Sequence, residues 1–179
     1  MSLSLANFQM DLEFSHRCED FCFWEEIYNN AFPNNVGIHS HRQDGPHQRN
    51  GVDRSVILDN GKSILIDEKS RRRKDTGDIL LEFLSNDRMN TPGWVEKPLM
   101  CDYIAYAFLP SGNAYLLPVL QLQLAWSKNK EHWKRAFKVK KALNEGYATL
   151  STPVPTQILF QEIGQCLRVK FKPIGESLP

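Results

Sequence analysis

Cysteine is scarce in this chain, which has four cysteines among 179 residues. That number is too small for a disulfide-stapled secreted scaffold, so we interpret the four as reduced thiols of a cytoplasmic protein. Cys18 and Cys22 lie near His16, but one Cys-x3-Cys pair without a second pair is a weak zinc signal. A structural zinc site is therefore not expected.

Long apolar runs are also missing. None approaches the ~18–20 residues of a membrane-spanning helix. We expect no secretory leader, because no basic stretch followed by an apolar one opens the chain. Hydrophobic residues make up 41% and charged residues 24%, an ordinary composition for a soluble globular protein. We predict a single domain over residues 1–179.

The net charge is only +1, but the basic residues are unevenly distributed. Four of the 22 Lys and Arg residues are consecutive at 71–74, and seven lie between Lys128 and Lys141. A nearly neutral protein can therefore still present a basic face to an anionic partner. A solvated helix face is the more common interpretation of a lysine-rich segment such as 128–141.

The hydrophobic patterning predicts an α/β (α+β) chain with a mixed central β-sheet flanked by helices. We expect the polar segment 33–50, with His39, His41 and His47, to be a solvated loop. The predicted elements are a helix over 15–32, strands over 51–58, 63–69 and 78–84, extended runs over 101–110 and 113–122, a basic helix over 122–147, and short strands over 157–160 and 167–171.

The hairpin around Asp-Asn-Gly at 59–61 allows two registers. A two-residue Asn-Gly turn would put Asp53 opposite Glu68 and turn Asp67 to the other face. A three-residue Asp-Asn-Gly loop, with Gly61 in a left-handed bulge, puts Asp53 opposite Asp67. Lys69 then shares their face, because side chains alternate along a strand. The turn sequence favours this second register.

Two facing carboxylates beside a lysine suit metal-assisted hydrolysis. Mg²⁺ (or Mn²⁺) is commonly held by one or two carboxylates plus water and substrate phosphate. A lysine nearby can stabilise the attacking hydroxide or the charge that develops on the phosphate. The alternative is a polar strand end with a surface Asp–Lys pair worth ~0–1 kcal/mol.

The segment GVDRSVILDNGKSILIDEKSR resembles the core motif of the restriction-endonuclease-like superfamily, the PD-(D/E)xK nucleases. Asp53, Asp67 and Lys69 match the two acids and the lysine of that motif. Val52 stands where proline is frequent, and Glu68 stands where an apolar residue is usual. The resemblance implies a restriction-endonuclease-like core and Mg²⁺-dependent phosphodiester hydrolysis, with Asp53 and Asp67 as metal ligands and Lys69 at the attacking water.

The resemblance also implies an acid on the preceding helix. Families of this kind often carry a glutamate there, and Glu25 or Glu26 in FWEEIY could fill that place. We assign Glu25, because it follows Trp24, which must face the core. Glu26 and Glu68 remain alternatives for completing the site.

DNA is the expected partner. The basic run of Arg71, Arg72, Arg73 and Lys74 begins two residues beyond Lys69, where it could hold neighbouring phosphates. A homodimer would allow both strands of a duplex to be cut. The alternative function is a nucleic-acid-binding or assembly module that keeps the fold without catalysis.

Overall fold

The computed structural model describes residues 23–41 and 50–174, which form two compact units. The six-stranded unit comprises the described residues up to 76, residues 99–120 and those from 165 onward; the four-stranded unit comprises residues 77–98 and 121–164. The prediction of a single domain stays a prediction.

The six-stranded unit contains the elements α1 (Phe23–Ala31), β1 (Asn35–Ser40), β2 (Arg54–Leu58), β3 (Ser63–Arg71), β6 (Tyr103–Phe108), β7 (Asn113–Pro118) and β10 (Leu167–Lys170). The strands form a mixed sheet in the order β1-β2-β3-β6-β7-β10. Strands β3 and β6 are parallel, and every other neighbouring pair is antiparallel. The predicted α+β class with a mixed sheet is confirmed.

Helix α1 is amphipathic, and this decides which of its faces is buried. Phe23, Trp24, Ile27 and Tyr28 recur at helical spacing and are all buried. The Trp24 and Tyr28 rings stack with centroids 6.0 Å apart. Of the helix predicted over 15–32, residues 15–22 lie outside the described residues.

The elements of the four-stranded unit are β4 (Asp78–Asn86), β5 (Thr91–Pro92), most of α2 (Val119–Ala136), β8 (Lys140–Leu143), β9 (Ala148–Pro155) and α3 (Thr156–Ile163). The strands form an antiparallel sheet in the order β5-β4-β9-β8. Phe83 of this sheet stacks on Trp126 of α2, with ring centroids 5.9 Å apart. None of the described helices is long and apolar enough to cross a membrane.

Three predicted elements differ from the structure. The basic helix over 122–147 is wrong beyond residue 136, because 140–143 forms an edge strand against β9. Lysines are common on edge strands and on helix faces alike, so local composition did not separate the two. Gly146, which lies within the predicted helix, has φ 82° in the hairpin loop between these strands.

The other two differences concern short segments. The loop predicted over 33–50 contains the edge strand β1, whose polar and glycine residues do not give a strand pattern. Residues 42–49, with His47, lie outside the described residues. The strand predicted over 157–160 is part of helix α3, where Leu159 and Ile163 are buried at i, i+4 spacing. A short apolar run does not distinguish a strand from a buried helix.

Candidate active site

The β2–β3 hairpin adopts the three-residue register. Val56 lies opposite Ile64 and Arg54 opposite Ile66. The Leu58 N–H donates to the Lys62 carbonyl at 2.9 Å, and Gly61 has φ 78°, the left-handed conformation that the bulged loop requires. The recorded pairing ends at Arg54, and the N–H of the preceding Asp53 donates to the Ile66 carbonyl at 2.8 Å, which places Asp53 beside the part of β3 that carries Asp67.

Asp67 and Lys69 form an ion pair on one face of β3. Lys69 Nζ lies 2.7 Å from Asp67 Oδ1 and 2.6 Å from Oδ2, and the Asp67 side chain is only 8% exposed. Asp53 directly precedes the neighbouring strand β2, and its Oδ2 accepts a hydrogen bond from the Glu68 N–H at 2.8 Å. The structure therefore brings together the two acids and the lysine.

The Asp67 carboxyl has a higher pKa than an exposed aspartate. Burial raises its pKa, the Lys69 ammonium opposes this, and the Asp53 charge raises it again; the resulting pKa is about 6. Protonated Asp67 also gains a hydrogen bond to Asp53. The Lys69 charge therefore offsets only part of the desolvation of Asp67 and of its repulsion by Asp53.

The arrangement fits a hard divalent cation. Asp67 Oδ2 is buried and, among the described residues, receives no hydrogen bond of normal geometry, although the Lys69 charge faces it. Within the same part of the chain, no three His, Cys, Asp or Glu side chains meet at one point. If a divalent cation such as Mg²⁺ or Mn²⁺ binds here, Asp53 and Asp67 are the residues that would hold it, with water supplying further ligands.

The raised pKa of Asp67 predicts a pH-dependent stability difference between wild type and Asp67→Asn. Since the folded pKa of about 6 exceeds the usual 3.8, the neutral form favours folding below pH 4, and this contribution is lost as pH rises through 6. We therefore expect the free energy of unfolding of Asp67→Asn to rise by up to about 3 kcal/mol relative to that of wild type when the pH is raised from 3.5 to 7. Urea unfolding in the presence of EDTA would measure this change. A pH-independent difference would contradict the raised pKa.

Glu25 is not brought into this cluster. Trp24, Ile27 and Tyr28 take the buried face of α1, so Glu25 and Glu26 are exposed. The Glu26 carboxylate accepts a hydrogen bond from the Lys172 N–H at 3.1 Å, beyond the edge strand β10. No hydrogen bond or ion pair among the described residues joins Glu25 to this cluster, so the helix glutamate of the four-residue site stays a prediction and the structure groups only its Asp–Asp–Lys part.

Glu68 is buried on the opposite face of β3. Its side chain is fully shielded, and Oε1 lies 2.6 Å from Arg54 Nε and accepts a hydrogen bond from the Tyr28 hydroxyl at 2.7 Å. Sequence reasoning missed this cluster. The chosen register already contained the signal, because it places Arg54 and Glu68 as diagonal neighbours on the face away from Asp67.

Two of the four consecutive basic residues are held against aromatic rings of β6. Arg71 Nε donates to the Tyr106 hydroxyl at 2.6 Å, and its guanidinium lies 4.7 Å from that ring centre. The Arg73 guanidinium lies 5.2 Å from the Phe108 ring centre. Arg72 and Lys74 are exposed. The basic run therefore contains two cations positioned on rings and two that face solvent.

Most lysines of the second basic segment, 128–141, form ion pairs with acidic side chains. Lys128 contacts Glu162, Lys130 contacts Glu96, and Lys134 contacts Glu131. On β8, Lys140 and Lys141 lie near Asp78 and Asp87 at 3.8 and 3.3 Å. These ion pairs favour the interpretation of segment 128–141 as a solvated surface over its interpretation as a basic face.

His41, expected in a solvated loop, continues β1 next to the site. Its backbone N–H donates to the Asp53 carbonyl at 2.7 Å, and its Nε2 lies 3.0 Å from Ser55 Oγ. The β1–β2 register places His39 opposite Ser55, so His41 lies opposite Asp53 on the same face. The sequence offered no signal for this beyond the alternation of residues 36–41.

Cys101 is a buried neighbour of the cluster. Burial, followed by the Asp67 charge, raises the pKa of its thiol to about 12. The thiol therefore stays protonated at neutral pH and is not a nucleophile.

Comparison of the chain with family models, with curated proteins and with solved structures finds no match.

Proposed function

We propose that this protein is a metal-dependent endonuclease with a restriction-endonuclease-like core that hydrolyses phosphodiester bonds in DNA. The observation that carries the proposal is the meeting of Asp53, Asp67 and Lys69 at one end of the β2–β3 hairpin, where the Asp53 charge and the Lys69 ammonium both act on the Asp67 carboxylate. The motif in the sequence supports the same assignment, because its acids and lysine are these three residues.

Each of the three side chains would have its own role in the hydrolysis. Mg²⁺ or Mn²⁺, when bound, would polarise the phosphate and lower the pKa of a bound water. Asp53 and Asp67 would orient that ion, while the Glu68 N–H keeps the Asp53 carboxylate in place. Lys69 would exchange its Asp67 contact for the attacking water and the developing charge on the phosphate.

The cations beyond Lys69 would hold the DNA backbone. Arg71 lies on the same strand face as Asp67 and Lys69, and its guanidinium is already oriented by Tyr106. A guanidinium held in this way loses little side-chain entropy when it meets a phosphate. Arg72 and Lys74 are exposed and would contribute mainly charge.

This difference predicts unequal effects of two matched double substitutions. Arg71→Ala/Arg73→Ala and Arg72→Ala/Lys74→Ala each remove two positive charges. Both should make the salt dependence of duplex binding shallower, by up to about 0.9 per lost phosphate contact. Only the first should also lower cleavage at saturating DNA, which single-turnover kinetics would measure. Equal cleavage in both variants would mean that the aromatic contacts do not position phosphate.

Incubating plasmid, linear and branched DNA with Mg²⁺, Mn²⁺ or EDTA tests the proposal directly. Metal-dependent cleavage supports it, and nicking without double-strand breaks would indicate one site acting at a time rather than a homodimer. DNA binding without cleavage in either metal would favour the alternative, an inactive nuclease-fold binding module. The exposure of Glu25 is the observation that favours this alternative.

A further inference from the structure

A buried polar cluster lies directly behind the candidate metal site. The Glu68 carboxylate receives the Tyr28 hydroxyl hydrogen bond and faces the Arg54 guanidinium, whose side chain is 10% exposed. Tyr28 is fully buried, and burial followed by the Glu68 charge raises its pKa, so its hydroxyl remains a donor. Burying a charged pair is costly unless its geometry is good and further hydrogen bonds are made.

Glu68 connects the two faces of the hairpin. Its side chain reaches Arg54 and Tyr28, whereas its backbone N–H donates to Asp53 Oδ2 at 2.8 Å. Arg54, the first residue of β2, directly follows Asp53, and Glu68 stands between Asp67 and Lys69 in β3. Any shift of the Glu68 peptide would therefore move the hydrogen bond that holds Asp53 and the strand segment that carries Asp67.

We infer that Tyr28, Arg54 and Glu68 are positioning residues for the metal ligands, an inference that rests on the proposed function. In this arrangement helix α1 serves the site through the Tyr28 hydroxyl, which fixes the Glu68 side chain, and not through a glutamate that binds the ion. Groups that orient metal ligands typically change metal affinity or activity by about 10–100-fold when they are removed.

A purely structural role makes a different prediction. Replacing a buried ion pair by apolar residues of similar size is often neutral or stabilising. An Arg54→Met/Glu68→Met double variant, made in the Tyr28→Phe background so that no buried hydroxyl loses its acceptor, should therefore keep the urea midpoint of Tyr28→Phe if packing is all that matters. Under the positioning role it should keep the midpoint and still lose metal affinity, because no charged side chain fixes the Glu68 peptide.

Mn²⁺ titration calorimetry on the 179-residue chain, paired with urea unfolding of each variant, separates the two roles. We expect Tyr28→Phe and the Met double variant to bind Mn²⁺ about tenfold more weakly than wild type. Tyr103→Phe is the matched control, since its hydroxyl makes no hydrogen bond among the described residues and its ring also belongs to the six-stranded unit. This control should bind Mn²⁺ as wild type does.

The outcomes distinguish this inference from the proposed function. A wild-type protein that binds no Mn²⁺ would overturn the proposed function, and the inference with it. Wild-type affinity in Tyr28→Phe, when the wild type binds Mn²⁺, would overturn the inference alone. If the double variant does not fold, the Tyr28→Phe comparison still decides, because it removes one oxygen atom and leaves Arg54 paired with Glu68.

Discussion

Lys69→Ala is expected to lower Mg²⁺-dependent DNA cleavage by about 10²–10⁴-fold, the usual contribution of a group that acts on the attacking water. DNA affinity should change little, because one cation among several near the site adds little to total phosphate neutralisation. Lys69 faces the buried Asp67 carboxylate, and its place beside the metal ligands cannot be taken by an exposed neighbour. Single-turnover cleavage and filter binding would measure the two effects separately.

Lys62→Ala is the matched control for this prediction. Lys62 is exposed in the same hairpin, so its removal has the same charge effect without touching the cluster. It should retain wild-type cleavage. If Lys69→Ala weakens binding and cleavage in equal proportion, Lys69 is one more phosphate contact, and the protein is better described as a binding module.

The turn chemistry makes the hairpin register predictable from the amino-acid sequence. Asp-Asn-Gly at 59–61 selects a bulged three-residue loop, and that loop determines which residues of the two strands face each other. Asp53, Asp67 and Lys69 are also local in sequence, within one hairpin. Both circumstances let sequence reasoning assemble the core of the candidate site.

The parts of the site that depend on packing between distant elements were harder to predict. Glu25 was chosen because a buried tryptophan precedes it, yet the buried face of α1 leaves it exposed and directs Tyr28 to Glu68 instead. A helix face spans several candidate residues, and its rotation is set by tertiary contacts rather than by local spacing. The polar strand next to Asp53 was missed for a similar reason, since an edge strand with little burial carries a weak pattern.

The same limit explains the error in the basic segment. Residues 138–143 have a helix-compatible composition, but 140–143 pair with Ala148–Ser151 and form an edge strand. The lysines then meet acids that lie far away in sequence, such as Asp78 and Asp87. The lysines of this segment are therefore largely ion-paired, which agrees with the more common interpretation of a solvated surface.

Asp67→Asn should abolish measurable Mn²⁺ binding, with a loss of at least about 100-fold in affinity. Asn keeps the shape of the side chain but removes the charge that a hard cation requires. This loss is hard to offset, because among the described residues no third His, Cys, Asp or Glu side chain joins Asp53 and Asp67. Titration calorimetry at pH 7 would measure the loss, and cleavage should disappear with it.

Asp59→Asn provides the matched control, because Asp59 is an exposed carboxylate in the loop of the same hairpin. That variant should bind Mn²⁺ with wild-type affinity. The stability expected of Asp67→Asn strengthens the comparison, since neutralising a carboxylate whose pKa is raised by burial should stabilise the folded metal-free protein near neutral pH. A variant that is more stable than wild type and binds no metal would show that the buried charge is retained for function rather than for folding. Unchanged Mn²⁺ affinity in Asp67→Asn would instead remove Asp67 from the metal site.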